Sequence, residues 1–283
     1  MKRLAVLLAL LWAGTAQAQC PTGYSLVYNS NTYQTGNFCV AKYEMKNVGG
    51  VATSQAAGLP WVSIPMSGAR TACTALGTTY HLITNSEWMT VARDIENTAG
   101  NWSGSAVGSG LLNRGHSDGT PDNMLEANAD DNQACYGTGQ TCSSTVWGEQ
   151  RRTHVLSTGE VVWDLSGNAN EWSDWVVDPD DKASPGTSYI EINASVPTTA
   201  MPAWRYWPTN ASFTRVHGVG TYFGAEAGVG GYTFRGGRWA NTTNAGIFSI
   251  NLGASAATSY TSVGFRCVTS LQTLTRAYMT ENY

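Results

Sequence analysis

The hydrophobic pattern of this chain consists of short periodic stretches separated by long polar ones. Residues 38–45 (FCVAKYEM) largely alternate apolar and polar positions, which predicts a strand. The apolar residues of 84–95 recur at helical spacing, and Thr84 with Glu87 forms a capping-box pattern at the start of that predicted helix. A weaker helical stripe predicts another helix over 67–76. The pattern therefore indicates a mixed α and β domain with few regular elements.

The second half of the chain predicts strands and exposed loops. Residues 151–172 (RRTHVLSTGEVVWDLSGNANEW) predict a strand, a turn, a second strand and then a tight Gly/Asn loop. Residues 253–262 show neither the strand nor the helix period, and we expect an exposed loop there. Residues 97–144 are long, polar and rich in glycine, which is unusual in a compact domain unless something binds or crosslinks them.

Composition narrows the classes of function. Charged residues make up 13% of the 283-residue chain, which also contains 11 Trp and 13 Tyr. This is the composition of an aromatic, loop-rich folded domain and not of a disordered chain. The net charge of −4 provides no broad basic surface, so we expect no nucleic-acid partner. No segment of the mature chain is apolar over a length that spans a bilayer, so we expect no transmembrane segment.

Residues 1–18 are predicted to be a secretory signal peptide. Lys2 and Arg3 precede a short apolar run, and Ala-Gln-Ala at 16–18 is a small-residue cleavage pattern. Cys20 follows closely, so a lipoprotein is an alternative, although Gln19 stands where such signals have a small residue. We therefore expect a protein exported to the periplasm, the cell surface or the medium, with one domain over 19–268 and a tail over 269–283.

The mature chain contains six cysteines, and an even number in an exported protein predicts disulfides. Six cysteines allow fifteen pairings, and spacing alone does not choose among them. Cys20 and Cys39 flank a predicted hairpin, and Cys135 and Cys142 would close a small loop. No CxxC pair or Cys/His spacing typical of a zinc site is present.

Three motifs in the C-terminal half carry a family resemblance. They are WDLSGNANEW at 163–172, FRGGRW at 234–239 and VGFRC at 263–267. They resemble the formylglycine-generating enzyme (sulfatase-modifying factor) family, which has a C-type-lectin-like fold. The resemblance covers nearly all of the mature chain and implies an α+β, loop-rich fold with a few helices and small antiparallel sheets. It also implies a link from a helix to the last strand, Cys73 to Cys267.

The segment 235–266 resembles a second group with the same fold more closely. Variable proteins of diversity-generating retroelements end in a cassette similar to RGG-x-W-x-N-x-x-N-A-G-x-F-x-x-N-L followed by GFR. In that group, Asn codons of a template copy are scrambled at their adenines, which leaves mostly small and polar residues plus Tyr. The resemblance therefore implies a diversifiable surface that binds a protein or glycan ligand on a cell or other surface. Trp239 and Tyr260 are candidate anchors, and Trp239 is alternatively a buried scaffold residue. The ligand-contact residues expected on this basis are Arg238, Trp239, Ala240, Thr242, Thr243, Gly253, Thr258, Tyr260, Thr261 and Ser262.

An enzyme is the alternative function. The catalytic cysteine pair of formylglycine-generating enzymes aligns to about Gly246 and Asn251, so thiol chemistry is not inherited. Related domains include non-haem iron oxygenases, and His116 and Asp118 with either His154 or His217 would supply two histidines and one carboxylate. A structural surface protein is a third possibility.

The Gly/Asn loop after the 151–163 strands is a candidate calcium site. Asp164 and Glu171 are hard oxygen donors, and the SGNAN turn between them can aim carbonyl oxygens inward. The segment resembles the family's calcium loop, in which Asp164, Gly167, Ala169 and Glu171 stand at the ligand positions. The resemblance therefore implies a structural calcium ion, and the alternative is a loop closed by side-chain hydrogen bonds without metal.

Overall fold

The computed structural model describes residues 19–177, 188–192, 207–224, 231–255 and 257–271. The predicted signal peptide and most of the tail lie outside these ranges. The two α-helices of the described residues are α1 (Met66–Thr74) and α2 (Asn85–Glu96). Helix α2 begins at the predicted capping box, in which the Thr84 side chain accepts from the Glu87 amide and the Glu87 carboxylate accepts from the Thr84 amide. Both predicted helices are therefore confirmed, with ends shifted by one or two residues.

A four-stranded sheet brings the beginning and the end of the domain together. Strand β1 (Tyr24–Val27) pairs antiparallel with β2 (Phe38–Ala41), as the predicted hairpin requires. Strand β5 (Tyr80–Leu82) follows α1, and the last strand, β14 (Cys267–Ser270), lies between β2 and β5. The last strand therefore continues past the expected domain boundary at 268.

A six-stranded sheet contains part of the cassette. Its strands are β8 (Asn170–Val176), β9 (Tyr189–Glu191), β10 (Thr221–Phe223), β11 (Tyr232–Arg235), β12 (Ile250–Ala254) and β13 (Val263–Phe265). Its order is β13-β8-β11-β12-β10-β9, and the pairs β13–β8 and β10–β12 are parallel. The other three pairs are antiparallel, the pairing expected for the sheets of this domain.

Two small hairpins complete the regular structure. Strands β3 (Lys46–Val48) and β4 (Val51–Thr53) form one, and β6 (Thr153–Val155) and β7 (Val161–Trp163) form the other. The second hairpin confirms the strand–turn–strand predicted within 151–172. Among the described residues no helix has the length and apolar character needed to cross a bilayer.

The hydrophobic core has two main parts. One packs α2, through Trp88 and its buried neighbours, against Phe248 and Leu252 of the cassette. The other packs α1 against Trp172 and Phe265 of the large sheet. The cassette thus contributes buried residues to the core, which fixes its backbone to the rest of the domain.

Three disulfides crosslink the described chain, which confirms the expectation of disulfide bonding. They join Cys20 to Cys39, Cys73 to Cys267 and Cys135 to Cys142. The Cys73–Cys267 bond connects α1 to β14. Disulfides of this kind indicate an oxidising compartment. The fold is α+β and loop-rich, with few helices and small sheets, as expected.

Two predicted elements have different limits in the structure. The strand predicted over 38–45 ends at Ala41, because Met45 donates its amide to Phe265 of β13 instead of continuing the first sheet. Gly253 was expected in an exposed loop but belongs to β12, which extends to Ala254. Main-chain pairing with β11 holds this end of the strand, and such pairing requires no periodic side-chain pattern.

Candidate binding surface

The cassette divides into buried and solvent-facing segments. Residues Ala245–Ile250 are all buried, and so are Val263–Phe265. Thr242, Thr243 and Thr261 are exposed. None of the ten predicted contact residues is buried, and those that are half-buried instead of exposed are Arg238, Trp239, Ala240, Gly253, Thr258, Tyr260 and Ser262.

Gly236 and Gly237 turn the chain sharply from β11 into the first outward segment, Arg238–Thr243. Their φ values are +87° and +83°, in the region that favours glycine. A Cβ on Gly237 would lie 2.7 Å from Ala245 Cα, so the backbone also passes too close there for a side chain. The turn fixes where Arg238 and Trp239 emerge from the sheet.

Residues 117–122 form a loop that bonds the first outward segment. Gly119 donates its amide to the Trp239 carbonyl at 2.7 Å, and Thr242 donates its amide to the Ser117 carbonyl at 2.7 Å. The Trp239 indole Nε1 donates to Asp122 Oδ1 at 2.8 Å, while the Arg238 guanidinium lies 5.2 Å from the indole ring centre. Trp239 is thus half-buried, with Arg238 over its ring and Asp122 at its indole N–H, a position between an exposed anchor and a buried scaffold residue.

The second outward segment, residues 258–262, is held to the sheet through Tyr260. Its ring centre lies 5.8 Å from that of Phe234 and 6.1 Å from that of Trp172, and its carbonyl accepts the Ser63 amide at 2.9 Å. Thr261, the next residue, is exposed. The aromatic contacts hold Tyr260 against the sheet while its neighbour faces solvent.

Both outward segments are hydrogen-bonded to one turn, residues 168–170. Trp239 donates its amide to the Asn168 carbonyl at 3.1 Å, and Asn170 donates its amide to the Ser262 carbonyl at 3.0 Å. The two parts of the cassette, although separated along the chain, therefore lie on either side of the same turn and form one surface.

One face of the large sheet adds residues that the sequence reasoning missed. Tyr189, Phe223, Asn251 and Phe234 occupy successive register positions across β9, β10, β12 and β11, and none of them is buried. The rings of Tyr189 and Phe223 are 5.0 Å apart. The available sequence signal was the alternation of Ile250, Leu252 and Ala254 with Asn251 and Gly253 in β12. Which residues of the neighbouring strands share the outward face is known only from the strand register.

The predicted calcium ligands Asp164 and Glu171 are each bound by an arginine. Arg152 donates from Nε and Nη2 to the two carboxylate oxygens of Asp164, both at 2.7 Å. Arg266 donates from Nε and Nη2 to the two oxygens of Glu171, at 2.9 and 2.6 Å. All four side chains are at most 1% exposed.

The turn between these carboxylates donates two hydrogen bonds to the buried side chain of Glu44. The Glu44 carboxylate accepts from Asn168 Nδ2 at 2.6 Å and from the Ala169 amide at 3.0 Å. Burial, and next the charge of Asp164, raises the pKa of Glu44 to about 8. A calcium ion needs about six to eight converging oxygen atoms. The residues at the four predicted positions do not fit calcium in this arrangement.

The alternative iron site is not assembled among the described residues, which contain no group of three or more His, Cys, Asp or Glu side chains suited to a metal ion. His116 Nε2 bonds the Asn123 carbonyl, and His154 Nε2 bonds the Asn113 carbonyl at 3.1 Å. Burial lowers the pKa of His154 to about 3, so this ring is neutral at physiological pH. His217 Nδ1 accepts from the Thr214 amide at 3.1 Å.

The similarities between this chain and known proteins are weak. No family model and no curated protein matches the chain. Among solved structures, it is similar to the U1 variant of major tropism determinant, with 15% identity, a TM-score of 0.44, and coverage of 89% of this chain and 54% of that one. The chain therefore spans about half the length of the major tropism determinant structures that it matches.

Two further structures are similar over most of their length. One is Treponema denticola variable protein 1, with 13% identity, a TM-score of 0.37, and coverage of 87% of this chain and 91% of that one. The other is PvdO from Pseudomonas aeruginosa, with 11% identity, a TM-score of 0.39, and coverage of 89% and 92%.

Proposed function

We propose that this protein is an exported, non-catalytic binding protein whose cassette, residues 235–266, presents a diversifiable surface to a protein or glycan ligand. The observation that carries the proposal is the division of the cassette: all ten expected contact positions are exposed or half-buried, while Ala245–Ile250, Leu252 and Ala254 between them are buried. Export through the predicted signal at 1–18 agrees with the three disulfides.

The chemistry of the surface suits adaptable recognition. Thr242, Thr243 and Thr261 offer small hydroxyl groups, and Tyr260 and Trp239 offer aromatic area already held by neighbouring residues. Binding loops of antibodies combine the same two classes, rigid aromatic anchors and small polar residues. Anchors that are ordered before binding lose little conformational entropy when a ligand arrives.

The scaffold tolerates change at these positions. Substitutions at exposed sites usually alter stability by about 0.5 kcal/mol or less. The backbone of the cassette is fixed by other groups, namely the buried residues Ala245–Ile250 and the main-chain bonds to Ser117 and Asn168. Side chains can therefore vary without moving the surface.

The test is to sequence the gene and its flanking DNA in several isolates. We expect a near-copy of the 235–266 coding segment close to a reverse-transcriptase gene, with mismatches at template adenines that fall on the outward codons other than that of Trp239, which the cassette pattern keeps constant. Invariance of the segment across isolates, with no such copy nearby, would refute diversification. Changes concentrated at the codons for 245–250 would also contradict the proposal, because those residues are buried.

A further inference from the structure

Six ionisable side chains meet beneath the cassette, and every one of them is at most 2% exposed. Three are acids and three are bases, so the group is formally neutral. Electrostatic interactions connect Glu44 with both other acids and with two of the bases, and connect Lys46 with two of the acids and the two arginines. The members of this buried ion cluster are Glu44, Lys46, Arg152, Asp164, Glu171 and Arg266.

The guanidinium of Arg152 is surrounded by oxygen atoms. Besides the two oxygens of Asp164, it donates to the carbonyls of Glu126, Tyr136 and Leu125, at 2.8, 2.9 and 3.2 Å. These five bonds use carboxylate and main-chain carbonyl oxygens, which are the ligands that a hard cation prefers. They also join the polar loop that contains Glu126 and Tyr136 to the Asp164 turn.

Arg266 has an equivalent environment on the other side of the turn. It donates to both oxygens of Glu171 and to the carbonyls of Ala41 and Trp163, at 2.7 and 2.8 Å. A bidentate arginine–carboxylate pair fixes orientation as well as charge. Arg266 therefore connects β8 to β2 and β7 through one side chain.

We infer that the guanidinium groups of Arg152 and Arg266 take the place of a bound cation in this loop, so that the turn beneath the cassette is assembled without metal. Each supplies positive charge to one carboxylate and collects carbonyl oxygens from distant segments, as a structural calcium ion would. The turn they fix, residues 168–170, is the one that bonds both outward segments of the cassette. The inference goes beyond the proposed function and does not depend on any ligand.

The direct test measures calcium on the full mature protein. We expect calorimetric titration with calcium chloride to show no stoichiometric uptake, and the melting temperature to be equal in calcium and in excess EGTA. A ligand that binds only the folded state must raise the melting temperature, so equality excludes an occupied site. Stoichiometric uptake accompanied by a higher melting temperature, both lost in Asp164→Asn, would overturn the inference.

Arginine substitutions test whether Arg152 and Arg266 stabilise the loop in place of a bound cation. Arg152→Met and Arg266→Met each leave a buried carboxylate without its partner, and we expect the melting temperature to fall by roughly 10 °C. Arg70→Met is the matched control, because Arg70 pairs with Asp174 through partly exposed side chains and its loss should be small. Losses equal to the control would overturn the inference. If either methionine variant does not fold, the corresponding lysine variant, which keeps the charge but not the forked geometry, should still melt below wild type.

Discussion

Glu44 is a buried carboxyl group whose pKa depends on its burial and on four charged neighbours. It is 1% exposed, and its carboxylate faces Asp164 and Glu171 as well as the cations Lys46 and Arg266. Burial and the two neighbouring carboxylates raise its pKa, and the two cations lower it. The folded pKa of about 8 lies above the ordinary value of 4.5. The folded protein therefore retains this proton where the unfolded chain has lost it.

The pH dependence of stability follows from that shift. The favourable contribution of the Glu44 proton is fully present below pH 4.5 and is lost as the pH rises through about 8. Glu44→Gln removes the titration, so we expect the stability of wild type relative to this variant to fall across the same window. Urea unfolding of both proteins at the two ends of the window measures the difference. The exposed Glu160→Gln is the control, and a Glu44→Gln difference that is constant with pH would contradict the assignment.

Asp164 and Glu171 were predicted to bind calcium but are each paired with an arginine, and their sequence context explains the difference. The WDLSGNANEW motif supplies Asp164 and Glu171 at ligand positions, but their partners come from elsewhere in the chain. Arg152 is 12 residues from Asp164, and Arg266 is 95 residues from Glu171. Local spacing specifies which oxygens are available. It does not specify which cation the fold brings to them.

At the level of elements, regular periodicity was the reliable guide. Helix α2 was predicted because its apolar stripe and its capping box are both local features. Strand β12 was not predicted, because the neighbours that pair with it come from β11 and β10. The outward sheet row from Tyr189 to Phe234 depends on three such pairings, so no single segment of sequence displays it.

The division of the cassette predicts two classes of substitution. Phe248 is fully buried in the core that includes α2, and Phe248→Ala should cost roughly 3–5 kcal/mol of unfolding free energy. Thr243→Ala, five positions earlier on the exposed face, should change it by about 0.5 kcal/mol or less. Urea unfolding of the two variants measures both values. Similar losses at the two positions would show that the outward segment is part of the packed structure and unsuited to diversification.

The beginning and the end of the domain are joined in one sheet. Strand β14 lies between β2 and β5, so the last described strand pairs with elements that form near the beginning of the domain. The Cys73–Cys267 disulfide also joins the early part of the domain to β14, across a sequence separation of 194. The cassette up to Arg266 lies between the two crosslinked cysteines, as do four members of the buried ion cluster, whereas Glu44 and Lys46 precede Cys73.

The three disulfides should therefore contribute unequally to stability. In the chain-entropy model, a crosslink separated by 194 residues stabilises by roughly 5 kcal/mol and one separated by 7 residues by roughly 2.5 kcal/mol. We expect Cys73→Ala/Cys267→Ala to lower the free energy of unfolding more than Cys135→Ala/Cys142→Ala, which opens only a local loop. Denaturant titration of both double variants under oxidising conditions gives the comparison. A larger loss from the short crosslink would mean that the 125–136 loop bound to Arg152, and not the pairing of the chain ends, limits the stability of the domain.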